Sequence, residues 1–137
     1  MNAKIATFTA ALGVVLSAGS VIAHHSFAAE FDANRPLTLK GVVTKIEWSN
    51  PHTYFYMDVT GTDGKVVNWG MEMGSPNGLM RQGWTRNTLH IGDEVTVEGA
   101  QAKDGTNVGN ARAVILAATG KRLFAASSQT ETPQQQR

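Results

Sequence analysis

The most constraining feature of this 137-residue chain is a long apolar-polar alternation that changes phase near a glycine. It runs Leu37-Thr38-Leu39-Lys40-Gly41-Val42-Val43-Thr44-Lys45-Ile46-Glu47-Trp48. Leu37 and Leu39 share one phase of a two-residue period, and Val42, Ile46 and Trp48 share the other. A strand holds one face on a core only while its phase is kept. A switch at Gly41 therefore predicts a β-bulge, because a residue without Cβ lets a long strand bend sharply. A strand bent in this way can pair in both halves of a barrel.

The strand signal continues beyond it. Thr53 to Thr60 sets Phe55, Met57 and Val59 on one face and Tyr54, Tyr56 and Asp58 on the other. Thr62-Asp63-Gly64-Lys65 carries the Asp-Gly hairpin signal. Val66 to Met73 follows, with Val67, Trp69, Met71 and Met73 in phase. One short helix comes next: Ser75 suits the N-cap, Pro76 the first turn, and Gly83 the C-terminus, with Leu79 and Met80 facing a core. Glu94 to Ala100 and Gly109 to Leu116 are two more strands across the Lys103-Asp104-Gly105 turn, and Arg122-Leu123-Phe124 is a candidate sixth. Three strands, a helix and two strands is the order of an OB-fold. The expected class is therefore all-β with one short helix: a five-stranded, partly open OB-like barrel with its helix between strands 3 and 4. The alternative is a small open β-sandwich of similar strand count.

The first residues read as a secretory signal peptide. Lys4 is the positive n-region, Ile5 to Val15 is an apolar run too short to span a bilayer comfortably, and Val21 and Ala23 suit positions −3 and −1 of a cleavage site. The alternative is an uncleaved anchor. Cleavage after Ala23 removes Lys4 and no acid, leaving equal numbers of basic and acidic residues. A chain so balanced, with only Lys121 and Arg122 adjacent among its cations, lacks the basic patch that nucleic acid or an acidic membrane needs. No nucleic-acid partner and no stable membrane insertion after cleavage are expected. The chain has no cysteine, so disulfides, thiolate metal sites and N-terminal lipidation are excluded. The domain boundaries expected are a signal peptide over 1–23, an N-terminal arm over 24–35, the barrel over 36–126, and a disordered Ser/Gln/Thr-rich tail over 127–137.

Several stretches together resemble one family. They are His24-His25-Ser26-Phe27 with Glu30-Phe31-Asp32, Leu39-Lys40-Gly41 leading to Glu47-Trp48, and Asn50-Pro51-His52. Gly74-Ser75-Pro76-Asn77, Arg81-Gln82-Gly83-Trp84 and Gly92-Asp93-Glu94-Val95-Thr96-Val97-Glu98-Gly99 complete the set. The chain resembles an uncharacterised family of small exported bacterial proteins, a domain of unknown function with an OB-like barrel, from His24 to Phe124. The resemblance implies a periplasmic or secreted location and the fold, and it implies no activity.

Chemistry in this sequence centres on histidine. Cleavage after Ala23 makes His24 the new terminus, where a free amine and an imidazole together chelate a transition metal, copper most tightly. One more imidazole completes a T-shaped three-nitrogen site similar to the histidine brace of copper oxygenases and carriers. His52 is the first candidate for it, in the loop after the first strand, and His90, beside a turn, is the second. His25 can also hold copper with the terminal amine. Glu30 and Asp32 are candidate oxygen ligands or supports for a metal-bound imidazole, or else a solvated arm pinned by Phe27 and Phe31. Met71 and Met73 suit Cu(I) by chemistry, but their shared phase with Val67 and Trp69 reads as core. Tyr54 and Tyr56 mark a possible ligand face, and Arg81 and Arg86 flank Trp84, where they can grip an anion or leave Trp84 to plug the barrel.

No nucleophile elbow, phosphate-binding glycine loop or His-Glu-x-x-His is present. The leading expectation is a small exported binding module for copper or another divalent metal. A metal-independent adaptor for a small ligand or a periplasmic protein through the Tyr54/Tyr56 face is the alternative. A copper-dependent redox enzyme ranks last.

Overall fold

A computed structural model describes residues 27–126. A short helix, α1 (Phe27–Glu30), leads into β1 (Phe31–Glu47). β2 (Tyr54–Thr60) and β3 (Val66–Glu72) complete an antiparallel meander. α2 (Pro76–Arg81) separates it from β4 (Glu94–Ala102), β5 (Val108–Leu116) and β6 (Arg122–Phe124). The strand order is β3-β2-β1-β4-β5-β6, and an additional β3–β5 pairing closes strands 1 to 5 into a ring. That pairing is parallel and short: Gly70 with Val108, Met71 with Gly109, and Glu72 with Asn110. The result is the expected OB-like arrangement, barrel-like rather than a clean barrel, with α2 between strands 3 and 4. β6 lies along the last part of β5, and α1 is a second short helix where one was expected.

The bend in β1 is where its two halves change partners. Residues from Phe31 to Val42 pair with β4, those from Val42 to Glu47 pair with β2, and Val42 is matched to both Glu94 and Asp58. The bulge itself is displaced from the expected glycine. The register on β2 shifts between Val43 and Lys45, so Thr44 is the extra residue. Leu37, Leu39 and Val43 therefore share the inner phase, and Ile46 and Trp48 regain it after Thr44. Val42, expected inside with Ile46, is 41% exposed. Gly41 has a different task. A Cβ there would lie 3.1 Å from the Asp58 carbonyl carbon and 3.2 Å from Val59 Cγ2, so only glycine lets β2 close over β1 at this point.

β1 also begins earlier than expected, at Phe31, inside the segment read as an arm. Phe31 pairs with Ala102, and the chain then arches away from β4 until Pro36 meets Ala100. Phe31 is buried and stacks on Phe27, with ring centroids 5.7 Å apart. The two phenylalanines thus pin the arm to the barrel through buried apolar area.

The core fills the ring with Val43, Phe55, Met57, Met71, Met73, Val95, Val97 and Val114. Met71 and Met73 are fully enclosed there and serve as packing. Ser75 caps α2 by accepting from the Gly78 amide at 3.1 Å, and Gly83 closes it at φ +94°. Leu79 faces the core, whereas Met80, expected beside it, is half exposed because a six-residue helix turns only one narrow stripe inward. Trp84 is fully buried in the core, with Nε1 donating to the Phe124 carbonyl at 2.8 Å. No helix among the described residues is long and apolar enough to cross a membrane.

Candidate functional site

Glu72 is the last residue of β3, between two core methionines, so alternation turns its side chain to the outer face of the ring. It is nevertheless only 7% exposed. The register explains why. Glu72 is matched to Tyr54 on β2 and to Asn110 on β5, and residues directly opposite on neighbouring strands share a face. The carboxyl group is thus flanked on both sides. Tyr54 donates its hydroxyl proton to Glu72 Oε2, and Asn110 Nδ2 donates to Oε1 at 3.4 Å. Burying a carboxyl group without such donors would cost several kcal/mol.

His52 completes the cluster. It follows the cis Asn50–Pro51 bond in the loop between β1 and β2. Its Nδ1 lies 3.1 Å from the Met73 carbonyl oxygen and 3.6 Å from Glu72 Oε1. A carbonyl only accepts, so Nδ1 carries the proton. In a neutral ring the lone pair then belongs to Nε2, on a side chain one-third exposed. A ring held in one tautomer by a carbonyl, with a carboxyl group close behind it, is the arrangement that prepares imidazole to bind a metal.

Burial pushes the Tyr54 hydroxyl far above its ordinary pKa of 10.0, and the Glu72 hydrogen bond and charge, with a smaller contribution from the Glu30 charge, add to the shift. Tyr54 therefore remains a donor across the neutral range. The arm comes to the same place: Ala29, Glu30 and Phe31 border a cavity of about 380 Å3 together with Tyr54, Lys103 and Thr106. Two backbone contacts hold the arm there, from the Lys103 amide to the Glu30 carbonyl at 2.9 Å and from Lys103 Nζ to the Ala28 carbonyl.

The other residues singled out from the sequence lie elsewhere or are engaged differently. His24 and His25 lie outside the described residues, as does the tail from 127 onward. His90 is exposed and sits 3.6 Å from Asp93 in its own turn, with no hydrogen bond or ion pair to His52. Asp32 serves the arch of the arm, accepting from the Asn34 amide at 2.9 Å and pairing with Arg35 at 3.9 Å. Tyr56 lies across Gly70, where a Cβ would be 3.3 Å from its ring, with Lys45 Nζ 5.1 Å from its centroid. Its hydroxyl donates to Glu47 at 3.2 Å. The Lys45 ammonium beside Glu47 holds that carboxyl below its usual range. Arg81 and Arg86 are exposed on either side of the buried Trp84. No group of three or more histidine or acidic side chains able to hold a metal is gathered among the described residues. His52 therefore offers one nitrogen ligand, supported from behind.

Glu72 and Asn110 were not among the residues singled out from the sequence. Counting outward from the Asp63-Gly64 turn would pair Tyr54 with Met73; the hairpin is offset by one residue, matching Thr60 to Val66 and so Tyr54 to Glu72, which only the structure shows. Asn110 arrives only through the β3–β5 closure.

The ring and its cluster define a small OB-like domain with a carboxyl-backed histidine beside the loop that follows its first strand. The chain belongs to a family of unknown function, DUF6152, whose model matches residues 11–111. No curated protein matches it.

Proposed function

We propose that this protein is a small exported binding module for copper or another divalent metal, with His24, freed as the mature terminus by cleavage after Ala23, and His52 as its nitrogen ligands. The observation that carries this reading is the His52 tautomer. The Nδ1–H donates to the Met73 carbonyl and Glu72 lies behind it, leaving the Nε2 lone pair for a metal. Residues 29–31 lie beside Tyr54, which bonds Glu72, so the arm meets the barrel next to the cluster that holds His52. His25 is the accessory ligand, and Glu30 adds negative charge near the centre. Copper chemistry favours such nitrogen donors over harder cations.

Two measurements test the proposal on protein exported by its native host without an affinity tag. Intact mass gives the first residue, which must be His24. Copper titration of the wild type against His24→Ala and His52→Ala is expected to show at least about a tenfold loss of affinity in each. Unchanged affinity in both variants overturns the proposal.

A further inference from the structure

Between the arm and β6 lies a second cavity, of about 360 Å3, in the size range of small-molecule sites. Its wall is apolar at Phe27 of α1, Leu37 of β1, Ala100 of β4 and Phe124 of β6, and charged at Glu98 and Arg112.

The charge on that wall does not balance. Glu98 Oε2 is bonded by Arg122 at 2.8 Å, while Arg112 stands off at 3.8 Å. One carboxylate thus faces two guanidiniums. The hydrogen bond from Arg122 holds the Glu98 carboxyl below its usual range, so its single charge is retained and one positive charge is left over. Arg112 keeps nearly all of its five N–H donors for another acceptor.

Arg112 owes its place to an irregularity in the sheet. Glu98 is matched to Ala113, but Gly99 is matched to Ala111, so Arg112 is an extra residue bulged out of β5. Bulges re-aim the side chain they carry, and this one sets a guanidinium on the wall of an apolar hollow.

We infer that this cavity binds a small amphiphilic carboxylate, an apolar chain or ring whose anionic group pairs with Arg112 while its body lies against Phe27, Leu37 and Phe124. Guanidinium recognises a carboxylate through two parallel hydrogen bonds, which a neutral head cannot match and a cationic head would oppose. The site does not involve His52 and does not depend on the proposed metal centre.

The test is a two-dimensional NMR titration of the full chain with octanoate, octan-1-ol and octylammonium. Octanoate is expected to shift the amides of Ala100, Arg112 and Phe124 saturably, and octylammonium to leave them in place. Arg112→Gln is expected to weaken octanoate about tenfold and to leave octanol unchanged. Ala33→Trp, a substitution at an exposed position on the cavity wall, is expected to abolish the octanoate shifts without unfolding the domain. The inference is overturned if octanol or octylammonium binds as tightly as octanoate. It is equally overturned if octanoate moves none of these amides up to its solubility limit, or if Ala33→Trp leaves its binding intact.

Discussion

Gly99 lies where β4 presses closest on β5, and its replacement by alanine tests the closure of the ring and the cluster together. A Cβ at Gly99 would lie 2.9 Å from the Asn110 carbonyl carbon and 3.2 Å from the Ala111 Cα, and nearer still to the Asn110 oxygen. All three are backbone atoms, so no rotamer change can relieve the overlap and the two strands must separate. We expect a cost of about 3 kcal/mol, the upper end of the usual range for overpacking, because what must move is main chain. For a domain of about a hundred residues, 1 kcal/mol shifts the midpoint by about 4–8 °C, so melting should fall by about 12–24 °C. Gly105→Ala is the internal control. Nothing lies within 4 Å of a Cβ there, but φ is +76°, so only backbone strain is introduced. That strain is worth about 1–2 kcal/mol. Thermal unfolding followed by circular dichroism compares the two. A Gly99→Ala protein melting within 4 °C of the wild type, or a costlier Gly105→Ala, would show that β4 and β5 part without penalty here. Since Asn110 supplies an amide to Glu72, Gly99→Ala should also shift the Asn110 side-chain amide resonances.

Other outcomes follow from the same structure. Tyr54 holds its proton more tightly when folded, so its stabilising contribution is complete below the unfolded value near 10 and is lost as pH rises beyond it. Urea midpoints should therefore fall more steeply above pH 10 in the wild type than in Tyr54→Phe, and parallel curves would count against the shift. Trp84→Phe removes the donor of the part-buried Phe124 carbonyl, and should cost about 1 kcal/mol in urea unfolding. Glu72→Gln retains the shape and a carbonyl acceptor but removes the carboxylate behind His52. Copper affinity should drop about 10- to 100-fold with little change in melting temperature, whereas equal loss of both would make Glu72 a packing residue only.

Much of the fold was legible in the chain because strand alternation and turn chemistry are local. The Asp63-Gly64 turn and the phases of Phe55, Met57 and Met71 placed β2 and β3 nearly to the residue. The β1 bend was legible as an event and misplaced in position. Two neighbouring residues, Val42 and Val43, are equally apolar, so hydropathy could not say which of them faced inward. Contact with β2 decides it, through the extra residue Thr44. Gly41 was rightly marked as special, but the reason is the Asp58 backbone lying against it, which no neighbour in sequence reveals.

The candidate site divides along the same line. By itself the sequence determined the supply of parts: no thiolate anywhere, four histidines, a near-neutral balance of charge, and His52 in a loop that a turn motif makes. Only the tertiary structure decided that Glu72, outward by alternation, is buried, because Tyr54 and Asn110 flank it from strands 18 and 38 residues away in sequence. It likewise decided which nitrogen of His52 keeps the proton, and that Arg112 meets an apolar hollow. Periodicity records which face a residue takes on its own strand. Which residues stand beside it depends on register and closure, and those are settled by contacts between strands far apart in the chain.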